Sequence, residues 1–294
     1  MTLRINWAVI LVTPVLAALA FGACGGGDED VEADGLKVVT STGLLADIVA
    51  NIAGDSATIE NIVPPDADAH TFSLTPSDIR KVAGADLVFL IGGNFSAIED
   101  DLANLAEGTV VALGDGLQLQ TFQDGGGTDP HFWLNPTLVS AATEIIEAAL
   151  AEADPENAAD YAERGDAYRG KLAALDGELE VLFRTGQGGA QPLLVTFHDA
   201  FGYLARRYDL TILGFVVEGP EEQPSASDIA DLVELMKREG ATVVYKEPQF
   251  DARVVEQVAA EAGAEIRDLP SATLTGEYPT YLDLMRTIAR AIIE

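Results

Sequence analysis

From Leu36 onward the chain alternates short apolar runs with longer amphipathic segments. Leu36–Thr40, Ala57–Val63, Asp86–Ile91 and Thr109–Leu113 predict strands, and Leu44–Ala53, closed by Gly54, and Ser77–Ala83, opened by Pro76, predict helices. Strands separated by helical segments favour a parallel sheet covered on both faces. Pro136–Ala153 reads as a helix. From Pro155 to about Phe183 a second helical run follows, interrupted only by Gly165, Gly170 and Gly177. Each of those glycines costs about 1 kcal/mol against alanine in a helix interior. We take the segment as one continuous helix, roughly 40 Å long at the usual rise per residue.

After the turn at Gly186–Gly189 the alternation resumes. Strands are predicted at Pro192–Phe197, Thr211–Val217, Ala241–Tyr245 and Ala264–Arg267, with helices at Ala200–Tyr208, Ser227–Glu239, Ala252–Ala262 and Tyr281–Ile293. The expected fold is α/β. It has two lobes, each a mostly parallel sheet flanked by helices, joined by a single long helix. The expected boundaries are 36–153 for the first lobe, 154–185 for the linking helix and 186–294 for the second lobe.

The N-terminus changes the picture of where the protein acts. Arg4 precedes the apolar run Trp7–Leu19, and Ala20–Ala23 places small residues before Cys24, the pattern of a signal peptide over 1–23. The chain has one cysteine, which excludes an intramolecular disulfide. Its position resembles a lipoprotein cleavage site, so Cys24 is expected to carry a lipid, with residues 24–35 as a flexible acidic tether. The mature chain is then extracytoplasmic and anchored to the outer face of the cell membrane.

With 48 acidic against 17 basic residues, the formal net charge is −31. That excess argues against nucleic acid or anionic lipid as a surface partner. Spread over helix faces, it serves solubility first and cation attraction second.

Only three histidines occur, and each lies in a distinctive run: Asp68-Ala69-His70, Asp129-Pro130-His131-Phe132-Trp133-Leu134-Asn135-Pro136 and Phe197-His198-Asp199-Ala200-Phe201-Gly202-Tyr203. Imidazole is the commonest protein metal ligand, and three of them suit zinc. In open α/β sheets ligands bind beyond the carboxyl ends of strands. His70, His131 and His198 all follow strands or lie in loops, and Asp268, after the strand Ala264–Arg267, is the candidate fourth ligand. Asp129, Asp199 and Glu247 are candidates for holding the imidazoles from behind. Phe132, Trp133, Phe197 and Phe201 read as an apolar wall.

These stretches, together with Glu222-Gln223-Pro224-Ser225, Glu247-Pro248-Gln249-Phe250 and Tyr281-Leu282-Asp283-Leu284-Met285, resemble the zinc and manganese substrate-binding lipoproteins of ABC importers from about Val38 to the C-terminus. The resemblance implies metal held between the lobes by His70, His131, His198 and Asp268. It also implies delivery by a monomeric receptor to a membrane permease with its ATPase. Departures are Ala69 before the first histidine, Phe72-Ser73-Leu74 after it, Asn135, and a loose match over Leu269–Ala272, which makes Glu247 the substitute for Asp268. Histidine as third ligand favours Zn2+, with Mn2+ or iron as the alternative cargo. The stretch Gln118–Thr128 lacks the histidine-rich loop of many zinc members. A surface adhesin on this fold is a rival class. A zinc hydrolase finds little support: the chain has no H-E-x-x-H helix and no G-x-S-x-G elbow, while the lack of a phosphate-binding loop fits an external receptor whose ATPase is a separate chain.

Overall fold

The computed structural model describes residues 35–65, 67, 69, 71–122, 126–186, 192–220 and 222–294. The signal segment with Cys24, and His70 with Asp68, lie outside the described residues. Gly35–Glu294 forms one compact unit. Among the described residues, no helix is long and apolar enough to cross a membrane.

The first sheet is parallel, built from β1 (Leu36–Thr42), β2 (Ala57–Val63), β3 (Leu87–Leu90) and β4 (Thr109–Ala112) in the order β2-β1-β3-β4. β1 is central, and Val38, Val39, Thr40 and Ser41 are all buried, as expected of a strand covered on both faces. The first helix, α1 (Gly43–Ala53), starts where the Thr42 hydroxyl accepts from the Leu45 amide. It ends at Gly54, whose φ of 57° suits glycine. There Arg164 donates to the carbonyls of Ile52 and Ala53 at 2.7 and 2.9 Å, satisfying two groups that the helix end leaves open. The next helix, α2 (Pro76–Ala83), carries a capping box between Thr75 and Asp78.

The sequence reading omits α3 (Ala97–Leu105). Its Glu99 is buried and accepts from the Ser41 hydroxyl at 2.6 Å and the amides of Ile91 and Gly92 at 2.7 and 2.8 Å. The carboxyl thereby ties α3 to the ends of β1 and β3.

Two helices pack side by side and against α1, α4 (Pro136–Ala153) and α5 (Ala158–Thr185). A single 3-10 turn, Pro155–Asn157, precedes α5, which then runs unbroken for 28 residues, about 42 Å. Tyr161, Gly165, Tyr168, Leu172, Leu175, Leu179 and Phe183 form its buried stripe at helical spacing. Gly165 belongs to that stripe for a steric reason: a Cβ there would come within 2.5 Å of the Glu147 carboxylate on α4. Burial of the stripe outweighs the low helix propensity of the glycines.

The second lobe contains β5 (Leu193–His198), α6 (Gly202–Tyr208), β6 (Thr211–Val217), α7 (Ala226–Glu239), β7 (Val243–Lys246), α8 (Arg253–Ala262), β8 (Glu265–Asp268) and α9 (Tyr281–Ile293). β5 pairs in parallel with β6 and β7 with β8, and β5 lies beside β7. The stripe Tyr281, Leu284, Met285, Ile288, Ala289 and Ile292 returns α9 onto α5 and α1. Asp47 of α1 accepts from the Tyr281 amide at 2.8 Å. One hydrophobic core therefore runs from Val38 and Ile48 through Leu172 and Leu179 to Ile288.

Candidate metal centre

His131 and His198 arrive from different lobes and meet in the interior. His198 is the last residue of β5, paired with Val217 of β6. Just before His131, Thr121 bridges Thr128 and the Asp129 amide donates to the Gln120 carbonyl. Their Nε2 atoms are 3.3 Å apart and both residues are buried.

Each imidazole is held from behind by a buried carboxylate. His131 Nδ1 donates to Asp129 Oδ1 at 2.8 Å, and the same oxygen accepts from the His131 amide at 3.0 Å. Asp129 Oδ2 accepts from the Gln120 side chain at 2.9 Å. Burial pushes the Tyr203 hydroxyl up to about 12, so it stays protonated and donates to the Asp129 carbonyl at 2.9 Å. On the other side, His198 Nδ1 donates to Glu247, which also accepts from the Ser271 hydroxyl and from Gln249 Nε2. Both carboxylates engage Nδ1, which leaves the two Nε2 atoms facing each other at hydrogen-bond distance.

Asp268 is not brought to this pair. Its carboxylate is 62% exposed and bonds Lys246 Nζ at 2.5 Å. Strand alternation explains the placement. Lys246 and Asp268 are register partners across β7 and β8 and share a face, whereas Glu247 follows Lys246 and points the other way, into the interior beside His198. Asp199 lines a neighbouring cavity of about 230 Å³ together with Glu218 and Glu222, and His131 and His198 form part of its wall.

The other side of the histidine pair faces a cavity of about 60 Å³, lined also by Phe95, Trp133, Gln249, Phe250 and Ser271. That space suits an ion with a water or two and is far smaller than a site for an organic ligand. Trp133 lies edge-on to His131 with ring centroids 5.2 Å apart, and its Nε1 donates to the Ser271 carbonyl at 2.8 Å. Phe250 lies edge-on to His198 at 6.0 Å and stacks on Phe197. Phe132 and Phe201 are buried in the core behind. Among the described residues, no group of three or more His, Cys, Asp or Glu side chains is placed to hold a metal ion. Gln249 and Ser271 are site residues that the sequence reading does not single out, although Gln249 stands within the quoted Glu247–Phe250 motif.

The profile of the family described as zinc-uptake complex component A, periplasmic, matches residues 38–294. The chain belongs to this family. Among its relatives, the iron-binding protein YfeA of Yersinia pestis is 32% identical over 258 residues, covering 85% of this chain and 82% of that protein. The manganese-binding lipoprotein MntA of Halalkalibacterium halodurans is 28% identical, covering 92% and 93%. A crystal structure of ZnuA superposes with a TM-score of 0.77 at 28% identity, over 88% of this chain and 99% of that one. Two α/β lobes joined by a long helix are thus the architecture of the family and of this member.

Proposed function

We propose that this chain captures a divalent transition-metal ion, zinc first, outside the cytoplasmic membrane and delivers it to an ABC permease powered by a separate ATPase. The observation that carries this reading is the 3.3 Å between the Nε2 atoms of two buried histidines, each engaged at Nδ1 by a buried carboxylate. A zinc ion about 2.05 Å from each nitrogen at the tetrahedral angle requires a separation of about 3.3–3.4 Å, and a right angle requires about 2.9 Å. The spacing supports a tetrahedral ion.

His131 and His198 are the proposed ligands, with His70, from the loop after β2, as the third. The ion's two positive charges are balanced by Asp129 and Glu247 acting through the imidazoles. The relatives' names carry iron and manganese as well as zinc. Nitrogen donors rank zinc above manganese and iron, so ligand chemistry favours zinc here. Cys24 is the proposed lipid attachment point, tethering a receptor that acts by binding alone.

The test is metal content by mass spectrometry on the chain downstream of Cys24, stripped by chelator and equilibrated with buffered zinc and manganese together. About one zinc per chain is expected, lost in His198→Ala. Manganese retained instead would change the cargo, and no retained metal would refute the site.

A further inference from the structure

We infer that Gln249 supplies the oxygen donor that completes the metal site, the place the sequence assigns to Asp268. The inference rests on the metal-capture reading and concerns which atom closes the coordination sphere.

The orientation of the Gln249 amide is decided by its neighbour. Nε2 donates to Glu247 Oε2 at 3.0 Å, and a carboxylate cannot donate in return, so the other terminal atom is the oxygen. That oxygen is buried and, among the described residues, has no hydrogen-bond partner. Buried acceptors without a partner are rare in folded proteins and call for a specific reason. Gln249 lines the same 60 Å³ cavity as His131 and His198, and the turn that carries it is closed by the Phe250 amide donating to the Glu247 carbonyl at 3.1 Å. One short segment thus provides both the carboxylate that orients His198 and, on a residue lining the same cavity, an oxygen without a partner among the described residues. Asp268, with its carboxylate on the solvent side and bonded to Lys246, does not compete for the place.

The consequence is a site whose direct donors are all neutral, imidazole nitrogens and an amide oxygen, with both negative charges one hydrogen bond away. A neutral oxygen holds zinc less tightly than a carboxylate would. Cargo that must be surrendered to a permease benefits from that.

The experiment uses the purified protein loaded with Co2+ for its visible spectrum and with Zn2+ in competition with a chromogenic chelator. Gln249→Leu is expected to lower zinc affinity about 10–100-fold and to change the intensity and position of the cobalt d–d band. Gln249→Glu, which keeps an oxygen at the position, retains a four-coordinate band, and Asp268→Asn leaves band and affinity at wild-type values. If Gln249 acted only by orienting Glu247, Gln249→Leu would weaken binding with an unchanged band, which overturns the inference. A changed band in Asp268→Asn overturns it as well. Wild-type protein that binds neither ion refutes the metal reading itself, and is distinguishable because no variant then matters.

Discussion

Glu247→Gln is the sharpest perturbation of the proposed centre, because it changes charge and donor pattern while keeping shape. Three donors converge on the buried carboxylate: His198 Nδ1, the Ser271 hydroxyl and Gln249 Nε2. A glutamine offers one acceptor and one donor. With its nitrogen toward His198, the imidazole must accept at Nδ1 and carry its proton on Nε2, which removes the lone pair from the metal. With its nitrogen toward Gln249, that amide must turn over and point its nitrogen where its oxygen had been. Either arrangement forfeits a charge-assisted hydrogen bond worth about 1.5–3 kcal/mol. At about 1.4 kcal/mol per tenfold, zinc affinity is expected to fall about 10–100-fold. Chelator competition measures the dissociation constant, and circular dichroism confirms that the variant is folded. A folded variant within threefold of wild type would refute the view that Glu247 sets the tautomer of His198.

Zinc affinity should fall between pH 7.5 and pH 5, because protons compete for imidazole nitrogen as pH drops through about 6.5, and a pH-independent affinity would count against histidine ligation. Glu99 contributes in the opposite sense to stability. Burial holds its carboxyl above the ordinary value despite three donors, so the folded chain keeps the proton longer than the unfolded chain. Its contribution is fully present below the unfolded value and is lost as pH rises through the folded one. Urea denaturation of wild type and Glu99→Gln across this range should show wild type losing stability relative to the variant as pH rises; a constant difference would refute the assignment. Gly108→Ala should destabilise by about 1–3 kcal/mol in the same assay, because a Cβ there would meet the backbone oxygens of Ala85 and Asp86 at 2.3 and 2.4 Å. Unchanged stability would mean that the turn before β4 can shift freely.

The alternation of strands and helices was legible because each element carries its own period and its own stop, as with Gly54 after α1 or Pro76 opening α2. The unbroken α5 was legible from a long run with almost no helix breaker despite three glycines. The omitted α3 had a readable signal in Ile98, Leu102 and Leu105 at helical spacing behind an acidic first turn, but it is short and lacks a side-chain cap. At the site, the runs around His131 and His198 mark residues that do meet. The placement of Asp268 was not legible, since one step along a strand reverses the face, and the register of β7 against β8 cannot be read from either strand alone. Gln249 was hidden for a different reason: an amide becomes informative only when its partners show which terminal atom is left over.

The core that threads α1, α5 and α9 joins the two lobes in their stability as well as in space. An ion held at the proposed centre by His131 and His198 stabilises the folded chain by mass action. At free metal a thousandfold above the dissociation constant, that linkage adds about 4 kcal/mol to unfolding. Loaded and unloaded receptor then differ in lifetime: the form that has given up its cargo is the one that opens more often and is more readily cut by proteases.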